Sequence, residues 1–300
     1  MLPLDTVLQL VINSAVTGAI YALAAAGFTL IFGVLRIAHF AHGDVAMVGA
    51  YIAVGLLAAY GAPAGVGSLA LVTAAAALAC GLLGVAVERL AYRPLRSGPD
   101  LQLLIAAIAV SRLLQSLVQL TAGSRIHLIQ RPDWRPLELA GAYITPVQLG
   151  ILALSVAVFA GLHVLVLHTV LGAQIRAVAD SPALARSQGV PVERVIGVVF
   201  ALGSALGAMS GILIGLEVNV TPTMGFALVL KAFAAAVIGG VGSVPGALLG
   251  AFLIGAVENV GAWFTGGLWK ESMAYTVLLL VLLLKPGGLL GRQAYGEVKL

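Results

Sequence analysis

The sequence predicts an all-α polytopic membrane protein with about eight or nine transmembrane or partly crossing helices. Hydrophobic residues make up 61% of the 300 residues and charged residues only 9%, whereas soluble domains carry about 25% charged residues. The mean hydropathy is +1.08. Apolar runs of roughly the 20 residues that a transmembrane helix needs recur along the whole chain. We therefore expect one membrane domain, residues 1–300, with no separate soluble part.

The apolar segments follow one another with short polar or glycine-containing connections between them. Their approximate limits are 7–35, 44–60, 64–88, 101–123, 145–168, 195–217, 226–243, 246–264 and 272–285. Two stretches, 36–44 and 225–252, interrupt apolar sequence with polar residues or clustered glycines. Such interruptions indicate half-helices or re-entrant turns that do not cross the bilayer completely.

The basic residues predict which loops face the cytoplasm, because Lys and Arg concentrate on that side of a membrane. The start of the chain lacks a basic region before the first apolar run, so we expect no cleaved signal peptide. Parity then places the loop 124–143 outside, although it carries Arg125, Arg131 and Arg135. The residues expected on the cytoplasmic side are Arg89, Arg93, Arg96, Arg176, Arg186, Arg194, Lys285, Arg292 and Lys299.

The composition also excludes several classes of function. The single cysteine, Cys80, lies in an apolar run, which excludes an intramolecular disulfide and a cysteine-based metal cluster. The net charge of +4 belongs to the loops of a membrane protein and does not indicate a nucleic-acid partner. The sequence contains no Gly-Lys dipeptide and hence no Walker A phosphate loop, so any ATP hydrolysis takes place on a separate polypeptide.

The first interruption reads RIAHFAHGD, residues 36–44, between two apolar runs. Polar groups in hydrocarbon are costly unless they line a cavity or pack inside protein, and broken helices often form transporter substrate sites. Metal binding is disfavoured because no fourth ligand of matching type is nearby. Each histidine could equally form a structural hydrogen bond to a neighbouring helix. The candidate residues are His39, Phe40, His42, Gly43 and Asp44.

The second interruption, GFALVLKAFAAAVIGGVGSVPGALLGAF, resembles the first. Gly27-Phe28 precedes Gly49-Ala50 by 22 residues, and Gly225-Phe226 precedes Gly246-Ala247 by 21, which suggests an internal repeat. A lysine in an apolar run costs about 2.5–3.5 kcal/mol at the bilayer centre unless it snorkels or meets water or a partner. The candidate residues are Lys231, Gly240 and Gly242.

The longest soluble connection is residues 169–194. Asp180 and Ser181 are suitable helix N-caps, Pro182 suits a first helical turn, and Gly189 is a helix stop. We expect one or two short helices across the membrane face. A solvated hairpin is the simpler alternative, but apolar residues among the charges favour a docking element for another protein.

Three stretches identify a likeness to a known family: GAIYALAAAGFTLIFGVLRIAHFAHGDVAMVGAY, RAVADSPALARSQGVPVERVIGVVFALGSALGAMSGILIG and KAFAAAVIGGVGSVPGALLGAFLIGAVEN. The sequence resembles the LivH-type permeases of the branched-chain amino acid ABC importers. The resemblance implies a permease subunit of a bacterial inner-membrane importer, with the first interruption beside the translocation path. It also implies that residues 169–194 couple to an ATPase through Arg176, Asp180, Ala185, Arg186, Gly189 and Val190.

The implied partners are a related second permease, two cytoplasmic ATPases that bind ATP and Mg²⁺, an external substrate-binding protein and membrane lipid. This chain itself is expected to bind no cofactor. Two alternatives stay open: a self-contained secondary transporter, and a metal-dependent membrane enzyme built on the two histidines and Asp44. The substrate also stays open, because members of the family transport branched-chain amino acids, urea, amides and aromatic or other organic acids.

Overall fold

The computed structural model describes residues 3–60, 65–96, 98–129, 134–285 and 287–290. Arg131, Arg292 and Lys299, whose sides were predicted above, lie outside these residues. The helices are α1 (Leu4–Leu35), α2 (His42–Tyr60), α3 (Val66–Val87), α4 (Asp100–Ala122), α5 (Pro146–His168), α6 (Val170–Asp180), α7 (Pro182–Ser187), α8 (Val192–Glu217), α9 (Met224–Gly239), α10 (Val244–Thr265) and α11 (Lys270–Leu284).

The expected all-α membrane architecture is confirmed. Eight of the described helical segments are long and apolar enough to cross a membrane, and α9, with 16 residues, is a shorter apolar helix. A π-helical turn (Glu88–Tyr92) and a 3-10 turn (Arg93–Leu95) extend α3, and a second 3-10 turn (Gly267–Trp269) precedes α11. One small antiparallel hairpin, β1 (Leu137–Leu139) with β2 (Ala142–Ile144), pairs Leu137 with Ile144.

The first helix is the centre of the bundle. An apolar helix without a polar face is expected to be enclosed by protein or lipid on all sides, and the second half of α1 is almost entirely buried. It packs against α8, α9 and α10. The Ser210 hydroxyl of α8 donates to the carbonyl oxygen of Ile20 at 2.9 Å. The stripe of Gly203, Gly207 and Gly211 on α8 faces α1 and α2, and these small residues let the helices pack closely.

The two ends of the bundle can be told apart by their contacts. At one end, the Arg36 guanidinium donates to the carbonyl oxygens of Ala179 and Asp180 at 3.1 and 3.0 Å, so the end of α1 lies beside α6. At the other end, Gln9 near the start of α1 hydrogen-bonds with the backbone of Tyr143 in β2. We call these the basic end and the hairpin end. Their separation agrees with the parity prediction that loops 124–143 and 169–194 lie on opposite sides.

Two helix interruptions meet inside the bundle. Residues 36–41 separate α1 from α2, and residues 218–223 separate α8 from α9. The first residues of α2 and α9 touch, since a Cβ added to Gly43 would overlap the carbonyl oxygen of Gly225. From this contact α2 runs towards the hairpin end, where the Tyr51 ring meets that of His127 edge to face. In the other direction α9 runs towards the basic end, past Phe40. The pair α1–α2 and the pair α8–α9 therefore run through the bundle in opposite directions.

The repeat alignment predicted from sequence is wrong in its register. Gly27 lies inside α1, whereas Gly225 lies in the first turn of α9, so the two Gly-Phe pairs are not equivalent. The counterpart of the α1–α2 interruption is residues 218–223 rather than the glycine-rich residues 240–243. The latter form a tight turn between α9 and α10, with φ values of 107° at Gly240 and 86° at Gly242. Paired small residues recur wherever membrane helices approach closely, and this made the false alignment possible.

Candidate functional site

A cavity of about 550 Å³ lies between α1, α8, α9 and α10. Its lining includes Gln148, Glu217 and Glu271, which belong to the hairpin end of the helices. The aliphatic residues of the lining include Val16, Ile20, Ile214, Val218 and Leu228, and the amide residues include Asn13, Asn219 and Asn259. The cavity thus combines an aliphatic wall with hydrogen-bonding and charged groups, as small-molecule sites commonly do.

Lys231 of α9 gives the cavity a buried positive charge. Its ammonium lies 2.9 Å from the Oε1 atom of Glu258 in α10 and donates a hydrogen bond of 2.9 Å to the hydroxyl of Tyr21 in α1. Tyr21 in turn donates to the Oε2 atom of Glu258 at 2.8 Å. We call these three residues the lysine cluster. Two hydrogen bonds and one ion pair thus link three helices that surround the cavity.

The lysine cluster explains how a charged residue is tolerated in an apolar helix. The side chain of Lys231 is 10% exposed and that of Glu258 is fully buried, so neither charge can be hydrated as it would be in water. The carboxylate offsets the ammonium, and the Lys231 ammonium lies 5.0 Å from the centre of the Tyr21 ring. Lys231 and Tyr21 line the cavity, whereas Glu258 lies behind them.

The histidines of the first interruption have a different environment. His42 is fully buried, and its Nε2 donates to the carbonyl oxygen of Ala24 at 3.1 Å. The ring fills the space over Gly27 and Gly207, where an added Cβ would lie 2.9 and 3.0 Å from its Cε1 atom. His39 hydrogen-bonds through Nδ1 to the Tyr92 hydroxyl at 2.6 Å. Burial, and secondarily the neighbouring His42, lowers the pKa of His39 well below its ordinary value, so the ring is neutral at pH 7.

Asp44 is also enclosed by helices. It lies in the first turn of α2, and its Oδ1 atom accepts a hydrogen bond of 2.9 Å from Gln115 in α4. The same carboxylate borders Gly225, the second residue of α9. The N-terminus of a helix carries a partial positive charge, so one carboxylate stabilises both helix starts. Asp44 therefore stabilises the contact between the first turns of α2 and α9.

Only one of the predicted path residues lines the cavity described above, namely Lys231. His39, His42, Gly43 and Asp44 are packed between helices, and Phe40 is partly buried with its ring centroid 6.4 Å from that of Phe233. Gly240 and Gly242 occupy the α9–α10 turn. Their place beside a translocation path stays a prediction. In the described residues, no group of three His, Cys, Asp or Glu side chains is arranged to hold a metal ion.

Two residues of the lysine cluster were not predicted as site residues. These residues are Glu258 and Tyr21. Glu258 gives a signal in the sequence, because a lysine in one apolar segment requires a counterion and an acidic residue lies within the next apolar segment. Tyr21 gives none, since it is an aromatic residue in an apolar run and is 237 positions from Glu258.

The connection between α5 and α8 forms two short helices, as expected. Ser181 caps α7 by accepting a hydrogen bond from the Leu184 amide at 3.4 Å, and Pro182 begins that helix. Gly189 ends the turn with φ of +79°. Asp180, predicted as part of the cap, is instead the last residue of α6.

An ion-pair network ties this connection to α3 and α8. The Glu193 carboxylate contacts Arg96 at 2.9 Å, Arg93 at 3.4 Å and Arg186 at 3.4 Å, and Arg96 also pairs with Glu88.

The remaining predicted coupling residues form hydrogen bonds with the backbone. The Arg176 guanidinium donates to the carbonyl of Val166, and the Val190 amide donates at 3.0 Å to the carbonyl of the buried Ala185. Pro182, Ala183 and Leu184 stay exposed on the outer face of α7.

A second cavity is chemically different. This groove of about 300 Å³ lies between α3, α5 and α8 and is lined by aliphatic residues together with Trp134 and Thr73. None of the residues described in its lining carries a charge. The cavity at the lysine cluster is therefore the stronger candidate for binding a polar solute.

Comparison with known proteins gives concordant results. The profile of the family described as branched-chain amino acid transport system, permease component, matches residues 10–284. The high-affinity branched-chain amino acid transport permease BraD of Pseudomonas aeruginosa is 37% identical over 97% of this chain and 98% of its own length. LivH of Escherichia coli, a permease of the same description, is 35% identical over 97% of each chain. The structure of PsaBC from Streptococcus pneumoniae in complex with Fab covers 90% of each chain at 11% identity and a TM-score of 0.48, which is too low to establish a common fold.

Proposed function

This chain belongs to the family of branched-chain amino acid transport system permease components, and we propose that its polar-apolar cavity carries a branched-chain amino acid or a similar aliphatic solute. The chain is a multi-pass permease subunit of an ABC importer and not an enzyme. The observation that carries the substrate proposal is the cavity of about 550 Å³, which places aliphatic side chains beside a buried ammonium and several amides.

The proposed partners follow from the same family and from the two ends of the bundle. A related second permease completes the membrane unit, two ATPase subunits bind ATP and Mg²⁺ on the basic side, and an external binding protein delivers the solute at the hairpin end. The chain resides in a bacterial inner membrane. Support for the docking of an ATPase comes from α7, where Pro182, Ala183 and Leu184 are exposed apolar residues beside the charges of Arg186 and Glu193.

We propose that coupling travels from α6 to the cavity through Arg36. The Arg36 guanidinium binds the last carbonyls of α6, and Arg36 is the first residue of the first interruption. That interruption leads into α2, whose first turn touches the first turn of α9 at Gly43 and Gly225. Lys231 lies two turns further along α9. A displacement of α6 by an ATPase would therefore move the helix that carries the cavity lysine.

Reconstitution tests this function. The chain, a partner permease, two ATPases and the binding protein are assembled in proteoliposomes, and uptake of radiolabelled leucine is measured with ATP or ADP inside. ATP-dependent uptake that requires all components is expected. Uptake by the chain alone, driven by an ion gradient, would instead support a secondary transporter. Parallel binding measurements on the external protein with leucine, urea and an aromatic acid would identify the substrate class.

A further inference from the structure

We infer that Lys231 is the anchor for the α-carboxylate of the transported solute, and that the lysine cluster makes the cavity selective for zwitterionic aliphatic amino acids. This inference rests on the proposed function and deepens it. The contacts within the lysine cluster link α1, α9 and α10. The inference gives them a second role, which is to determine which solute binds.

The hydrogen-bond capacity of Lys231 is the first argument. An ammonium group has three N–H donors. One is donated to the Tyr21 hydroxyl, and the Oε1 atom of Glu258 lies 2.9 Å from the ammonium as its ion-pair partner. Within the described part of the chain, no third acceptor is in hydrogen-bond contact with this ammonium. Because Lys231 lines the cavity, the third N–H is available to a bound molecule, and a carboxylate is the acceptor that binds an ammonium most strongly.

The charge balance of the lysine cluster is the second argument. Glu258 neutralises Lys231, so an isolated anion entering the cavity would introduce an uncompensated charge into a poorly hydrated space. A zwitterion introduces no net charge. The lining also contains the carboxylate of Glu271, which can attract an α-ammonium group towards the hairpin end. Both charges of an amino acid therefore have partners of opposite sign.

The aliphatic wall is the third argument. Val16 and Ile20 of α1 and Leu228 of α9 line the same cavity. Ile20 lies next to Tyr21, and Leu228 lies within one turn of Lys231 along α9. A solute whose carboxylate contacts Lys231 thus places its side chain against aliphatic groups. The second lysine of the lining, Lys270, begins α11 at the hairpin end and is more exposed than Lys231. Lys231 is the lysine in the less hydrated position.

The test compares binding of leucine with binding of two fragments of leucine. Isoamylamine lacks the carboxylate, and 4-methylvalerate lacks the ammonium group. The complete importer is purified without its binding protein, and each compound competes with radiolabelled leucine. In the unaltered protein, removal of either charged group is expected to weaken binding about tenfold or more, as the loss of a charge-assisted contact does.

The decisive variant removes both charges of the pair, because Lys231→Met alone would leave Glu258 buried without a counterion. In the double variant Lys231→Met/Glu258→Gln, leucine should bind about tenfold more weakly and no better than isoamylamine. The matched control is Lys285→Met, since Lys285 is exposed beyond α11 and away from the cavity lining. Solute-independent ATP hydrolysis should be unchanged in Lys285→Met, and co-purification with the ATPase subunits checks that the double variant assembles.

The outcomes separate the inference from the function on which it rests. Retention of the full preference for leucine over isoamylamine in the double variant would overturn the role of Lys231, even with leucine uptake intact. Absence of ATP-dependent leucine uptake in the unaltered importer, with another solute transported, would overturn the proposed substrate instead. Equal loss of preference in Lys285→Met would assign the effect to general destabilisation and would also contradict the inference.

Discussion

Two sets of buried polar residues lie inside the bundle, and they differ in what they face. The lysine cluster of Tyr21, Lys231 and Glu258 borders a cavity. The set formed by His39, His42 and Asp44 at the start of α2 is enclosed by helices. Both were costly to bury, but only the first lines a cavity that a solute can enter. A buried polar group in a membrane protein therefore needs a partner. Where the group also borders a cavity, a bound ligand can be that partner.

The chemistry of the two sets also differs. The lysine cluster contains an ion pair between α9 and α10. The histidine set uses neutral rings that bond to Tyr92 and to a backbone carbonyl, while Asp44 complements two helix starts. We expect the first set to control both stability and selectivity, and the second to control stability and the position of α2 alone. The following variants test that distinction.

The largest expected effect comes from breaking the ion pair on one side only. Glu258→Gln or Lys231→Met leaves one buried charge without its partner and should lower the free energy of unfolding by about 3–5 kcal/mol. The double variant Lys231→Met/Glu258→Gln should recover most of this loss. Thermal unfolding of the detergent-solubilised importer measures both. A double variant less stable than either single variant would show that the pair does not act as a unit.

A smaller effect is expected at the junction of the two interruptions. Gly43→Ala would drive a methyl group into the carbonyl of Gly225 and should lower the free energy of unfolding by about 1–3 kcal/mol, with reduced transport. Gly33→Ala in α1 is the matched control, because no atom lies within 4 Å of the added Cβ. If the two variants unfold at the same temperature, the contact between α2 and α9 is not a close one in the membrane.

The histidine set gives the third prediction. His39→Phe keeps an aromatic ring beside Phe200 but leaves the buried Tyr92 hydroxyl without its hydrogen-bond partner. A loss of about 1–2 kcal/mol in the free energy of unfolding is expected from that unsatisfied group. The preference for leucine over isoamylamine should be unchanged, as measured by the same competition assay. A changed preference would place His39 in the solute path after all.

The sequence predicted the helices well and the site only in part, for a physical reason. Helix limits depend on local apolar length, and the predicted segment 7–35 corresponds to α1 at Leu4–Leu35. The lysine cluster depends on long-range packing, since Lys231 and Tyr21 are 210 positions apart. The cost of burying Lys231 indicated that a partner existed but not where it was. The histidines stood out in the sequence because they can carry a charge within an apolar stretch. Whether they face a cavity or a neighbouring helix depends on the fold.

The smallest expected effect on stability concerns the connection between α5 and α8. Arg186→Glu places two carboxylates near each other, but Arg186 is 65% exposed, so the free energy of unfolding should fall by less than about 1 kcal/mol. Its functional effect should be larger, because the reversed charge lies on α7, the proposed docking element of the ATPase. Solute-stimulated ATP hydrolysis should become uncoupled from leucine uptake, and the measurement is the number of ATP molecules consumed per leucine transported.

Arg89→Glu is the control, because it reverses an exposed charge at the same end but outside residues 169–194. Equal ATP consumption per leucine in both variants and the unaltered importer would remove Arg186 from the coupling mechanism. A rise confined to Arg186→Glu, with the leucine preference intact, would separate coupling at the basic end from selection at the lysine cluster.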